Sequence, residues 1–563
     1  MADSAPPQPR PRALLGRTAA AVGAPLAVVY GCLFASVAVA RPLSDLGRPS
    51  YVLLQWAVSL ALCLAPLAVW PFRTRRYAQI ASSVLAVLAL VNLVHVFEYS
   101  QLVTLGAIDA VASTSGREAG EFLRGRPASV VSALAASAVA GVLAVRLSGR
   151  VPPEAGVPRA ARAAAAALGA AAVLTLAAYP MRLFPVSTVK NAVDYVGYQA
   201  DFSRAQQARA SHRFGATQTE AWDEPPVVVV VVGESLRRDQ LGLYGYGRPT
   251  TPRLSALDGL VVFADAVTAA PVTQPSLAMM MTAATPHTHR DHAERSWLTL
   301  AREVGFETVW ISNQDRTDGT ATALLAGDAD RVVYTSHDWS AAGQYDEDVL
   351  PALDRALAGR TGPLAVVVHL MGSHDDYAQR YPPAFDHFDP DSPRPAAHTA
   401  LSDRQRRMVD YYDNSVRYTD WVVSEVVRRV EGTGAPAVGV FVSDHGENLY
   451  DTADRLRGHG VPGTTRHEVE VPLAVWTTPA FRRARPGVVR ALERNRALPV
   501  TTADLFYGLA DLVGAEWPGH RPDQSVFAPG YQPGPRPVLT PDLEVVAAED
   551  LGARPALAAV AGR

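Results

Sequence analysis

Pro225-Pro226-Val227-Val228-Val229-Val230-Val231-Val232-Gly233-Glu234-Ser235 sets six consecutive valines between two prolines and a glycine. A run that is apolar at every position leaves no side chain for water. It therefore reads as a strand buried on both faces, the pattern of a parallel sheet. Three further runs repeat the pattern: Glu307–Ser312, Leu364–His369 and Ala437–Val442. Helical spacing lies between them, most plainly over Arg404–Val430. Strands alternating with helices predict an α/β domain with a mostly parallel sheet sandwiched by helices.

In open α/β sheets, ligands bind beyond the carboxyl ends of the strands. The valine run ends in Gly233-Glu234-Ser235. The second run ends in Ser312-Asn313-Gln314-Asp315, the third in His369-Leu370-Met371-Gly372-Ser373-His374-Asp375-Asp376, and the fourth in Ser443-Asp444-His445-Gly446-Glu447. Carboxylates, imidazoles and an amide thus converge on one rim. Glu234, Asp444 and His445 form a two-carboxylate, one-imidazole set suited to Zn²⁺ or Mn²⁺. Three protein ligands leave room for a nucleophile, and Thr273, just before a predicted helix from Pro275, is the candidate. Two readings of Thr273 stand side by side: a hydroxyl that caps the helix, or one that carries a phosphoryl group at the helix N-terminus.

The 563 residues allow three or four domains as a soft prior. With 52 basic and 55 acidic residues the net charge is −3, which gives no basic face for nucleic acid. Cys32 and Cys63 are the two cysteines, too few for a disulfide scaffold or a cysteine metal cage. The apolar residues crowd into the first third. Five stretches, Thr18–Ala40, Tyr51–Trp70, Tyr77–Phe97, Pro127–Val145 and Ala163–Tyr179, approach the length of a membrane span. With the N-terminus inside, ten arginines fall in the inner segments and five in the outer loops, which predicts an exported domain after Tyr179. The organisation expected is a five-helix transmembrane domain over 1–180, a linker with interfacial helices over 181–224 and a catalytic domain over 225–563. The tail after about Phe527 is rich in Pro and Gly and reads as irregular.

The blocks Gly233-Glu234-Ser235-Leu236-Arg237-Arg238-Asp239, Thr273-Gln274-Pro275-Ser276, His369–His374, Tyr411–Asp420, Ser443–Glu447 and Gly458-His459-Gly460 follow one another in a familiar order. Together the chain resembles the membrane-anchored phosphoethanolamine transferases of the alkaline phosphatase–sulfatase superfamily. The resemblance implies one or two zinc ions, with Mn²⁺ as an alternative, held by Glu234, Thr273, Asp444 and His445. It implies Thr273 as nucleophile and His374 and His459 as the pair that meets the phosphoryl group or protonates the leaving oxygen. Thr114, Glu118 and Asn313 are candidate substrate contacts. His287, His289, His292 and His467 lack such a block and read as solvated.

The reaction implied is transfer of phosphoethanolamine from phosphatidylethanolamine to lipid A, a lipopolysaccharide core or another glycan. The enzyme would be a monomer in the inner membrane with a periplasmic catalytic domain and no nucleic-acid partner. A glycerophosphate transferase of the lipoteichoic acid synthase type and a membrane-anchored phosphodiesterase or sulfatase-like hydrolase are the alternatives. Two departures bear on the acceptor and head group. Met279-Met280 follows the nucleophile block where lipid A enzymes carry Cys-Met, and Ser373-His374-Asp375-Asp376 stands where Asn-His-Gly-Pro is common.

Overall fold

The computed structural model describes residues 57–552, except 63, 69–73, 100–102, 104–107, 109–110, 113, 115–118, 121–122, 124–126, 149–158, 179–185, 290–294, 315–319, 336–344, 454 and 461–462. Two compact units divide the chain, 1–108 with 123–195 and 109–122 with 196–563, and the last boundary falls inside one helix, between Tyr195 and Val196.

The first unit is helical. It contains α1 (Thr74–Tyr99), α2 (Pro127–Ser148), α3 (Arg159–Ala178) and the start of α4 (Val186–Ser211). Leu85, Ala89 and Leu93 of α1 pack with Ala133, Ala140 and Ala144 of α2 in its core. Ile80, Val84, Val87, Val131, Val139 and Leu174 point outward and are exposed. An apolar exterior of this kind suits lipid better than water. Two described helices are long and apolar enough to cross a membrane, over Arg75–His95 and Ala128–Leu147. These coincide with the third and fourth expected spans. The fifth falls short of a span: its apolar run is Arg162–Thr175. The first expected span lies outside the described residues, and so does much of the second.

The expected linker is mostly one helix, α4, which includes Asp201–Arg209. Its C-terminal end belongs to the second unit. There Arg209 is buried against Asp328, and Glu303 accepts the backbone N–H groups of Phe214 and Ala216.

The second unit is built on a seven-stranded sheet. Its strands are β1 (Val227–Gly233), β2 (Leu260–Val262), β3 (Glu307–Ser312), β4 (Arg331–Tyr334), β5 (Leu364–His369), β6 (Ala437–Ser443) and β7 (Leu473–Thr477). The order across the sheet is β2-β7-β6-β1-β5-β3-β4. Strands β6, β1, β5, β3 and β4 run parallel, while β7 is antiparallel to both β6 and β2. The valine strand is central, and all six valines are fully buried. Val228, Val230 and Val232 face one layer, with Trp297 and Phe506; Val227, Val229 and Val231 face the other, with Tyr412 and Val416. Alternation on a pleated strand splits the run between two cores. Burying each valine contributes about 1.5–3 kcal/mol.

Two helices frame the rim. α5 (Thr273–Met281) starts at it, and α6 (Asp403–Glu431) packs across the second layer, opened by a Ser402–Gln405 capping box. The tail is not irregular throughout. Pro537–Leu539 and Val545–Ala547 form an antiparallel hairpin, and Leu539 buries against Ala269, Ala270 and Met279 behind α5. The sequence reading weighed the prolines and missed this short apolar pair.

Candidate metal centre

β1, β5, β6 and β3 are neighbours, so their carboxyl ends meet at one edge. In register, Gly233 lies opposite Ser443, Val232 opposite His369, and His369 opposite Ser312. Glu234 and Asp444 are therefore the first residues past two paired strand ends. Gly372, at φ +51°, lets the loop after β5 press against Glu234. A Cβ there would lie 2.7 Å from the Glu234 backbone N and O.

Glu234, Asp444 and His445 are buried, and one ligand atom from each lies within 4.8 Å of the others. His445 Nε2 is 3.2 Å from Glu234 Oε1 and 3.4 Å from Asp444 Oδ2. His445 Nδ1 donates to the Gly446 carbonyl at 2.8 Å, which fixes the tautomer and turns Nε2 toward the carboxylates. Asp444 Oδ1 accepts from the backbone N–H groups of Ser235 and His445. Asp444 Oδ2, fully buried, makes no hydrogen bond among the described residues. Glu234 accepts from Ser235 Oγ on Oε1 at 2.9 Å and from Gln314 Nε2 on Oε2 at 3.0 Å.

Burial pushes the Asp444 carboxyl well up, and the charge of Glu234 adds to it. Burial also opposes the Glu234 charge, but His445 more than offsets this and holds Glu234 well below its ordinary value. His445 is raised to about 10: burial lowers it, and Asp444 and Glu234 overcome that. Two carboxylates thus compete for one imidazolium, with one oxygen orphaned. Such an O, O, N donor set fits a divalent cation of the zinc or manganese class.

Thr273 is the first residue of α5. Val272 is the N-cap position, and no side chain caps the helix. The capping reading of Thr273 is therefore set aside. Its Oγ1 lies 3.3 Å from His445 Nε2 and 3.4 and 3.3 Å from the two oxygens of Glu234. Ser276, one turn on, donates to the Asp444 carbonyl at 2.6 Å and anchors α5 to the loop.

The two other imidazoles adjoin. The His459 ring lies 4.0 Å from that of His445, and His374 lies 6.2 Å from His459. His459 Nδ1 is 2.7 Å from Glu447 Oε2, and Glu447 Oε1 accepts from Tyr377 at 2.9 Å. His374 Nδ1 pairs with the Asp375 carbonyl at 2.7 Å. Both rings therefore keep Nε2 in reserve. Burial lowers the His459 pKa, and the neighbouring His445 charge lowers it further.

Asn313 and His467 do not stand as expected in the folded chain. Asn313 is buried, donates to Asp346 and accepts from Thr335, so its amide serves the loop after β5 and not the cluster. Thr114 is half-buried and Glu118 lies outside the described residues. His467 is not solvated: its Nδ1 lies 2.9 Å from Arg237 Nη2 and 3.2 Å from Asp239, because Gly446 packs directly on its backbone carbonyl. Sequence reading also missed Gln314 and gave no role to Glu447. No local signal separated Gln314 from Asn313: successive residues at a strand end face opposite ways, and β3 is buried at every position after Glu307, which leaves the phase unmarked.

Residues 226–515 match the family model described as Sulfatase. Phosphoethanolamine transferase EptC of Escherichia coli O18:K1:H7 is 30% identical over 322 residues, 56% of this chain and 55% of the relative. The chain spans about half the length of the curated relatives it matches. Among solved structures, the C-terminal periplasmic domain of EptC from Escherichia coli, in complex with Zn, is 27% identical at a TM-score of 0.55, covering 60% of this chain and 96% of that one. The integral membrane phosphoethanolamine transferase EptA of Neisseria meningitidis covers 91% of this chain and 98% of its own at 19% identity and a TM-score of 0.66, a likeness of fold. The family match takes in the whole rim described above, and the chain belongs to the sulfatase family.

Proposed function

We propose that the protein transfers phosphoethanolamine from phosphatidylethanolamine to an envelope acceptor, lipid A, a lipopolysaccharide core or a glycan, through a phosphothreonine on Thr273. The observation that carries this reading is the position of Thr273 Oγ1, within 3.4 Å of both Glu234 and His445 at the start of a helix. Glu234, Asp444, His445 and Thr273 are the residues that would hold Zn²⁺. When bound, it would supply Lewis-acid polarisation and neutralise charge on the phosphoryl oxygens.

The chain's own residues do the rest. Thr273 Oγ attacks phosphorus, the bond to diacylglycerol breaks, and the head group passes to the threonine. The Thr273 hydroxyl proton is directed at the Glu234 carboxylate. The α5 N-terminus favours the new anionic ester. His374 and His459 contact the phosphoryl group; one protonates the departing glycerol oxygen. His459, whose charged form is disfavoured by burial, then takes the proton of the acceptor hydroxyl as that oxygen attacks the phosphothreonine. Thr114 and Glu118 meet the donor lipid in this scheme, and Asn313 supports the substrate side only through the loop after β5.

The domains assigned are a five-span membrane part over 1–180, a linker over 181–224 and a periplasmic catalytic part over 225–563. The protein works as a monomer in the inner membrane with its N-terminus in the cytoplasm. The tether gives the catalytic part a high effective concentration of its lipid donor.

Mass spectrometry of envelope lipids and glycans, with phosphatidylethanolamine labelled in its head group, tests the proposal. An added labelled phosphoethanolamine is expected with the wild type and absent with Thr273→Ala. A glycerophosphate product, or a modification that persists in the variant, would refute it.

A further inference from the structure

We infer that Gln314 is a positioning residue that fixes the carboxylate of Glu234 for cation binding. This rests on the metal reading of the cluster above. Glu234 is held from two sides. Ser235 Oγ donates to Oε1 from the next residue, whereas the clamp on Oε2 comes from another strand end, through Gln314 Nε2 at 3.0 Å. The same amide nitrogen donates to the Leu370 carbonyl at 3.1 Å. Both of its hydrogens are thereby used, one on the tip of β1 and one on the residue after β5. Gln314 itself is tied down, since its backbone N–H donates to Ser312 Oγ at 3.1 Å. The amide is a strut between three neighbouring strand ends.

The strut has a consequence for the cluster. With Oε2 engaged by Gln314 and Oε1 by Ser235, the carboxylate cannot rotate freely about its terminal bond. Thr273 Oγ1 then sits almost equidistant from its two oxygens, at 3.4 and 3.3 Å, and Oε1 faces His445 Nε2. Groups that orient a metal-ligating carboxylate in this way commonly set 10- to 100-fold of metal affinity. The neighbouring Asn313 has no such part, because its amide is consumed by Asp346 and Thr335. Gln314 has the shape of a residue chosen for reach: an asparagine there would be one methylene too short to touch Glu234.

The test uses the full-length protein in detergent, stripped and then titrated with Zn²⁺ against a competing chelator. Gln314→Met keeps the length and removes the donors. Zinc affinity is expected to fall about 10- to 100-fold, with the melting temperature of the stripped protein unchanged. Gln314→Asn, which keeps the polarity and shortens the arm, is expected to fall similarly, and it decides the matter if the methionine variant does not fold. A loss smaller than threefold in the folded variant overturns the inference while leaving the metal reading intact. A wild type that binds no zinc overturns both.

Discussion

Two buried ionic clusters share the same rim and differ in where their positive charge comes from. In the first, Glu234 and Asp444 face a single imidazole, and one oxygen of Asp444 is left without a hydrogen bond among the described residues. In the second, three residues along β1's outgoing loop, Arg237 pairs with Asp239 and Asp451 and touches His467, and the guanidinium is fully buried. Burial would lower Arg237, but Asp239 and Asp451 raise it well above its ordinary value, while Asp451 is held down to about 2. The chain supplies a permanent cation to one pair of carboxylates and withholds it from the other. Neutralised pairs build structure; a pair left short of charge is a place for a cation to bind.

The two clusters should respond differently to substitution. The largest separation is expected from Thr273→Ala. Transfer measured with labelled lipid should fall on the order of 10³-fold or more, while the denaturation midpoint stays where it was. Arg237→Met should do the reverse: stability drops by about 1.5–3 kcal/mol, as for the loss of charged hydrogen bonds whose carboxylate partners, Asp239 and Asp451, keep some access to water. That loss should be the same with zinc or with chelator in a urea titration, and a zinc-dependent loss would join the two clusters into one.

Asp444→Asn sharpens the contrast at a smaller scale. Its carboxyl is pushed up by burial and by Glu234, so its charge is unfavourable in stripped protein at neutral pH. The amide should leave stability in chelator unchanged or raised, abolish the stabilisation by zinc, and remove transfer. Calorimetry with and without zinc checks it, and a destabilised stripped variant contradicts the account of Asp444.

A third case lies between. Arg248 Nη1 stands 2.8 Å from both Asp410 and Asp413, one cation for two carboxylates. Burial raises Asp413 to about 7, and Arg248 offsets only part of it. A carboxyl raised on folding favours the folded state fully below its ordinary value of 3.8, and that contribution is lost as pH rises through about 7. Stability should therefore decline across this window by up to about 1.4 kcal/mol per pH unit. Asp413→Asn should flatten the decline in urea titrations run across it; an unchanged slope assigns it to another group.

How much of this was legible beforehand depends on the residue. The six valines announced a central strand because no other setting hides every side chain of such a run. Glu234, Thr273, Asp444 and His445 were legible because each ends a strand or opens a helix inside an ordered series of blocks. Asn313 and Gln314 were not separable, since a one-residue step on a strand reverses the face and the sequence carries no absolute phase. His467 looked solvated because its partner, Arg237, is 230 positions away. The hairpin Pro537–Ala547 was hidden by its prolines, and the reversed β7 by a run as apolar as its parallel neighbours.

Local pattern, then, determined which segments bury and which residues stand at their ends, because burial and backbone period are properties of a few consecutive residues. Only the tertiary structure decided which carboxylates received an arginine and which were left facing one another, because charge in a low-dielectric interior is settled over a few ångströms in space, whatever the distance along the chain.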